Sequence, residues 1–211
     1  GLANSVIDGV SAVIARNDQV IVVEDDIVTA PDFLTFMNQA LNRYRGNNSI
    51  GTVTGFSLPI AMPRHYSLPV YLTHRHSSLG WGTYGRVWNR VDWEVRDYVA
   101  FRNSRSARQA FNVAGPDMAR MLDMQMEAKI NSWSIRFDYS CFKRNLFSVA
   151  PVRGMVTNIG FDGSGTHCRP DSSGLRGEIP PPDGTFDFPE MLEFDPDIVR
   201  TTQKLFDPGL Y

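Results

Sequence analysis

The chain has 211 residues, 42% of them apolar and 21% charged, with a net charge of −2. That is length for one good-sized core plus a tail, in an ordinary globular composition, and the charge excludes a chain that acts as a whole as a nucleic-acid or other polyanion binder. Arginine outnumbers lysine by 18 to 3, a bias that suits planar, bidentate contact with phosphate or carboxylate and equally a GC-rich bacterial genome.

In chain order, Val6, Val10, Val13 and Ile14 recur at helical spacing and predict an amphipathic helix over residues 2–16, broken by Asn17-Asp18. Gln19-Val20-Ile21-Val22-Val23 is a short β-branched run, expected to be a central strand buried on both faces. Pro31 suits the first turn of a second helix, with Phe33, Leu34, Met37, Leu41 and Tyr44 on one face and Gly46-Asn47-Asn48 as its stop. Residues 50–56 read as the next strand, so the order helix, strand, helix, strand predicts an α/β fold with a mainly parallel sheet flanked by helices.

Residues 57–79 read as loops with a short strand near 70–73, and residues 78–85, rich in glycine and aromatics, as a ligand-facing loop. Helical patterns resume over 91–101, 117–130 and 132–146, and 148–152 is a last strand. Residues 169–211 hold seven of the 13 prolines and are expected to form an irregular, proline-rich tail that wraps the core. No apolar run approaches a membrane span. Cys141 and Cys168 suggest neither a disulfide framework nor a zinc site, so a reducing, cytoplasmic setting is expected.

The strongest chemical signal is Glu24-Asp25-Asp26, directly after the apolar strand. Three adjacent carboxylates repel one another unless a cation is present. Carboxylate oxygens suit Mg²⁺ or Mn²⁺, which take further oxygens from substrate phosphates, and open α/β sheets bind ligands at the carboxyl ends of their strands. In an extended segment Glu24 and Asp26 share a face and Asp25 takes the other. The competing reading is a solvated acidic loop ahead of the helix at Pro31.

The run Val20-Ile21-Val22-Val23-Glu24-Asp25-Asp26-Ile27, followed by Pro31-Asp32-Phe33-Leu34, resembles the acidic metal motif of GT-A glycosyltransferases. It is similar to the Glu-Asp-Asp form found in the N-acetylglucosaminyltransferases that initiate complex N-glycans and in bacterial sugar transferases. The resemblance continues through Ser78-Leu79-Gly80-Trp81-Gly82, similar to the family's Gly-Trp loop, and reaches Asn158-Ile159-Gly160 and Gly163-Ser164-Gly165-Thr166-His167-Cys168. It covers residues 1–168 and implies a GT-A-like domain of that extent. It also implies that Asp26 is the metal ligand for Mn²⁺ or Mg²⁺, with Glu24 and Asp25 touching a nucleotide-sugar donor and Trp81 near the sugar. Many members place a late histidine at the metal or diphosphate, a role that falls to His167, within roughly 10 Å of the Asp26 carboxylate.

Inverting sugar transfer needs a carboxylate to deprotonate the acceptor hydroxyl. The family carries that base in a tryptophan-flanked pair of aspartates, and the matching stretch here, Asn131-Ser132-Trp133-Ser134-Ile135-Arg136-Phe137-Asp138, lacks the pair. Asp138 is the first choice and Glu127 the second; the competing reading makes each a surface acid on a helix. Of Trp81, Tyr84, Trp88, Trp93 and Trp133, at least three are expected to be packing residues. GT-A proteins begin with a nucleotide-binding half, whereas this sequence opens at the helix before the metal strand. At about 30 residues per βαβ unit, roughly 60 to 100 residues are expected to come from a longer parent or a second chain.

The expected function is metal-dependent, inverting transfer of a sugar from a nucleotide-sugar to a glycan or lipid-linked acceptor in polysaccharide biosynthesis. Peripheral membrane association would come through the full-length parent. The rival readings are a nucleotidyltransferase and a non-catalytic carbohydrate-binding fragment.

Overall fold

The computed structural model of the chain describes residues 1–160, 179 and 186–207. The architecture is mixed α/β. Helix α1 (Leu2–Ile14) packs Ala3, Val10 and Ile14 inward and leads into strand β1 (Gln19–Val22). Strand β2 (Ile27–Thr29) precedes α2 (Phe33–Tyr44), whose buried face is Phe33, Phe36, Met37, Ala40, Leu41 and Tyr44. Leu34, expected on that face, is instead exposed. Then come β3 (Ile50–Thr54), β4 (Val70–Thr73) and β5 (Trp81–Tyr84), with every residue of all three buried. A helical layer follows: α3 (Gly85–Trp88), α4 (Tyr98–Asn103), α5 (Arg105–Phe111), α6 (Met118–Met126) and α7 (Trp133–Lys143). Strands β6 (Phe147–Pro151) and β7 (Val156–Asn158) precede α8 (Pro196–Leu205).

The five-stranded sheet has the order β1-β5-β3-β6-β4, and β2 and β7 form a separate antiparallel ribbon. Among the described residues only β3 and β6 pair in parallel; β1–β5, β5–β3 and β4–β6 are antiparallel. The expectation of a mainly parallel sheet is therefore wrong. Strands β1, β3 and β6 do share one direction, but β5 is inserted between β1 and β3, and β4 closes the far edge. Residues 81–84, read as a loop for their glycine and aromatics, are the strand that intervenes. Gly82 sits there because a Cβ would meet the Val20 carbonyl oxygen at 2.8 Å and Leu41 Cδ1 at 2.9 Å. Strand β1 is also not central: it lies at a sheet edge, with Val20 buried, Ile21 and Val22 half-buried and Val23 exposed. An apolar β-branched run registers strand propensity but does not count its neighbours.

Side-chain alternation along the registered strands sorts the sheet into two faces. One carries Val53, Gly82 and Tyr84 and takes α2, with the Tyr84 hydroxyl donating to the Leu41 carbonyl at 3.0 Å. The other carries Thr52, Thr54, Trp81, Thr83, Ser148 and Thr73 beneath α6 and α7. Its hydroxyls are satisfied locally, as in Thr52 to Ser148 at 2.6 Å and Thr83 to the Gly51 carbonyl at 2.8 Å. Above it, Trp81 stacks on Trp133 with ring centres 4.9 Å apart.

The tail is not irregular throughout. Asp195 caps α8 by accepting from the N–H groups of Asp197 and Ile198, and Ile198 packs with Tyr71 and Ala150. Before it, Phe186 and Phe188 pack on Phe36 of α2. Among the described residues no helix is long and apolar enough to cross a membrane.

Candidate functional site

The acidic triplet leaves β1 at the sheet end where β3 and β6 also present their carboxyl ends. A turn closes it, with the Ile27 N–H donating to the Glu24 carbonyl at 3.1 Å, and Asp26 then enters the β2–β7 ribbon. Here the backbone of Ile159 donates to the Asp26 carbonyl at 2.8 Å, and the side-chain amide of Asn158 donates to Asp26 Oδ2 at 3.1 Å. Asn158 is buried and is fixed in turn by the Gly160 N–H, which donates to its Oδ1 at 2.7 Å. At Gly160 a Cβ would lie 2.8 Å from Asp26 Oδ2, so the glycine is what lets the carboxylate sit there.

The other oxygen, Asp26 Oδ1, is buried and has no hydrogen-bond partner among the described residues. A buried charged oxygen without a partner is costly, and its chemistry is that of a hard oxygen ligand for Mg²⁺ or Mn²⁺. Glu24 is half-buried, and burial, followed by the charges of Asp26 and Asp25, raises its carboxyl above the ordinary range. Asp25 is exposed. The three carboxylates do not converge on one point, so a cation here would rest on Asp26 and complete its shell from other oxygens.

The second feature is a cavity of about 260 Å³ between the threonine-bearing sheet face and helices α6 and α7. Thr54 and Thr73 line its floor, Asp138 and Ile135 its roof, and residues 75–79 one wall. Asp138 is 5% exposed and accepts a 2.8 Å hydrogen bond from the backbone N–H of His76. Burial outweighs that bond and the nearby Arg75, and pushes the Asp138 carboxyl up to about 7. Arg75 is itself neutralised by Asp117 through bonds of 2.8 and 3.0 Å, and Phe206 covers its guanidinium at 3.8 Å. His76 is buried, burial pushes its imidazole down to about 3, and neither ring nitrogen has a partner among the described residues. The two features are linked: Val22 pairs with Trp81, the Trp81 ring lies 4.7 Å from that of His76, and His76 holds Asp138.

No family model matches this chain, and neither does any curated protein sequence.

Each sequence-predicted residue except His167 now has a place. Asp26 turns into the protein, Glu24 stands partly beside it and Asp25 faces solvent. Asp138 is not a surface acid on its helix but a buried one lining a cavity. Glu127, the second choice for the base, pairs with Lys129 at 2.7 Å and Arg102 at 3.5 Å. The Lys129 hydrogen bond holds its carboxyl below the ordinary range, which is the wrong direction for a base near neutral pH. Trp81 is wholly buried in β5 and stacked on Trp133, so it is a packing residue rather than an exposed platform for a sugar. Tyr84, Trp88 and Trp133 are buried as well, as expected of most of the aromatics. His167 and the 163–168 turn lie outside the described residues.

Two participants were missed. Asn158 stood in the motif without a role, and only the ribbon pairing brings it to Asp26. His76 gave no signal, because it sits in a stretch with no periodicity. Elsewhere, His65, Asp195 and Asp197 gather ligand-type atoms within 4.8 Å of one another. Those atoms are already engaged: Asp195 caps α8 and meets His65 Nε2 at 2.6 Å, and Asp197 meets Arg200 at 2.9 Å. We read that group as a locked helix cap.

Proposed function

We propose that this chain is the metal- and acceptor-binding portion of an inverting, GT-A-type glycosyltransferase that moves a sugar from a nucleotide-sugar to a hydroxyl of a glycan or lipid-linked acceptor. The observation that carries the reading is Asp26: one carboxylate oxygen clasped by Asn158, the other buried and without a partner among the described residues, at the carboxyl end of β1. That arrangement fits Mn²⁺ or Mg²⁺, which when bound would offset charge on a leaving diphosphate.

The protein's own part is positioning and proton handling. Asn158 and Gly160 fix the Asp26 carboxylate, and Asp138 supplies a carboxylate that can accept an acceptor hydroxyl's proton near neutral pH. Cys141 is a buried thiol with no disulfide among the described residues.

Calorimetry tests the reading, with Mn²⁺ titrated alone and then with a panel of nucleotide-sugars, on the wild type and on Asp26→Ala. Donor binding that requires Mn²⁺ and disappears in the variant supports it. Tighter binding of nucleoside triphosphates than of nucleotide-sugars would make the protein a nucleotidyltransferase. Glycan binding with no metal-dependent nucleotide binding would make it a carbohydrate-binding module.

A further inference from the structure

The sheet has a second charged end. Where β1 begins and β5 ends, opposite the acidic triplet, an open pocket of about 450 Å³ has Asn17, Asp18, Arg45, Arg86, Asn89 and Arg90 as its polar lining. Three guanidinium groups share it with a single carboxylate, in a chain whose net charge is −2. Arg86 is half-buried and fixed. Its Nη2 donates to the Asn47 and Ile50 carbonyls at 2.9 Å each, and its guanidinium lies 4.5 Å from the centre of the Tyr84 ring. Neither the carbonyls nor the ring carries a countercharge. Arg90 is exposed and has no carboxylate partner among the described residues. Arg45 pairs with Asp18, but both side chains are mostly exposed, and a pair of that kind contributes little and exchanges partners freely.

A fourth guanidinium, Arg144, donates to the Val87 and Arg86 carbonyls at 3.0 and 3.2 Å. Burial chiefly, with the charges of Arg90 and Arg86 adding to it, holds Arg144 below its ordinary range. Like charges crowded in this way repel, and an anion among them removes the cost. The forks select which anion. A guanidinium is planar and meets two oxygens at once. A carboxylate is satisfied by one such fork, whereas a phosphate spreads its oxygens tetrahedrally and engages several. The volume is also that of a small-ligand pocket, with room for a phosphate or diphosphate group and its waters.

We propose that this pocket is a phosphate-binding site, with Arg86 as its fixed charge and Arg90 and Arg45 as the forks that close on the anion. It does not rest on the transferase reading, because it lies at the other end of β1 from Asp26. The phosphate is either free in solution or the headgroup of an anionic lipid, and the experiment separates the two sources.

Calorimetry and phosphorus NMR follow inorganic phosphate and pyrophosphate added to the full chain without metal, at low ionic strength, with acetate as the carboxylate comparison. Arg90→Gln, Arg45→Gln and Asp18→Asn replace exposed side chains and should melt with the wild type. Arg105→Gln, on the exposed surface of α5 and outside the pocket, makes the same change in charge. The wild type should bind phosphate with a Kd of about 1 mM or tighter. Arg90→Gln and Arg45→Gln should each weaken it by about tenfold, and Arg105→Gln should leave it unchanged. Asp18→Asn, which frees Arg45, should tighten it by about threefold.

Cosedimentation with phosphatidylcholine vesicles, with and without phosphatidic acid, assigns the source. Binding to the acidic vesicles that Arg90→Gln abolishes makes the ligand a lipid headgroup; binding of free phosphate alone makes it a soluble one. Absence of phosphate binding, acetate binding of equal strength, an equal loss in Arg105→Gln, or weaker binding in Asp18→Asn would overturn the proposal.

Discussion

Asp138 makes a thermodynamic prediction that needs no substrate. Its carboxyl titrates near 3.8 in an unfolded chain and is pushed up to about 7 in the folded one, burial being the main cause. Below pH 3.8 both states hold the proton and the group contributes nothing to the pH dependence. Between 3.8 and about 7 the folded state keeps a proton that the unfolded chain has released, so raising the pH favours unfolding. Each pH step in that window removes about 1.4 kcal/mol, so Asp138 costs the fold about 4 kcal/mol by the time it is ionised.

Asp138→Asn keeps the shape and the oxygen that accepts the His76 N–H but cannot titrate. Urea denaturation of both proteins from pH 4.5 to 8.5 isolates the term, because every other titrating group cancels in the difference. The variant's stability relative to wild type should climb with pH and level off above about pH 7, having gained about 3 kcal/mol over its value at the acid end of the range, where about 1 kcal/mol of the effect is already present. For a chain of this size that is a melting-temperature gain of about 10 °C. Any fixed cost of the amide shifts the curve without bending it. A difference that stays flat across the range would refute the buried, proton-holding Asp138 and with it the proposed base. The same variant should lower turnover by about 10²- to 10⁴-fold in a protein with transferase activity.

Asn158→Ala should weaken Mn²⁺ binding by about 10- to 100-fold in calorimetry, since it removes the side chain that orients Asp26. Gly160→Ala should also impair the metal site, because its Cβ collides with Asp26 Oδ2; unchanged Mn²⁺ affinity would show that the carboxylate does not act from this position. Trp81→Ala should destabilise the fold by about 3 to 5 kcal/mol in urea titrations, as a core deletion does; a loss of ligand binding with full stability would return Trp81 to the site. Asp195→Ala should cost about 1 kcal/mol through the lost cap and speed amide hydrogen exchange in residues 196–205 ahead of the rest of the chain.

Elements with a strong period were legible. Helices α1, α2, α6 and α7 and strands β1, β3, β4 and β6 fall where apolar spacing put them, because each buries a single stripe or a short apolar run. Pairing was not legible. Strand β5 is written in Trp81, Gly82, Thr83 and Tyr84, and the glycine is required by close packing against β1 and Leu41. The same residue type marks loops elsewhere, so local composition pointed the wrong way. Strands β2 and β7 have three residues each, too few for any alternation to register. The start of α8 was written in Asp195-Pro196, a capping residue followed by proline at the first helical position, and was hidden by the prolines around it.

The site divides along the same line. Asp26 was readable because its signal is local: a strand, then carboxylates. The partner that holds Asp26, Asn158, lies 132 positions away, and the one that holds Asp138, His76, lies 62 positions away. Folding brings both pairs together, and it leaves an unmatched oxygen on Asp26, an unmatched N–H on Trp81 and two unmatched nitrogens on His76. Other unmatched atoms, Gln19 Oε1 and Arg86 Nε, sit toward the opposite end of β1 and β5, where the Arg86 guanidinium donates to the Asn47 and Ile50 carbonyls instead. Asp26 is pinned by Asn158, and the His76 ring is wedged between Trp81 and Phe137. The Asp26 oxygen, pinned at the end of β1, is where the proposed cation would complete a bond that the described residues leave open.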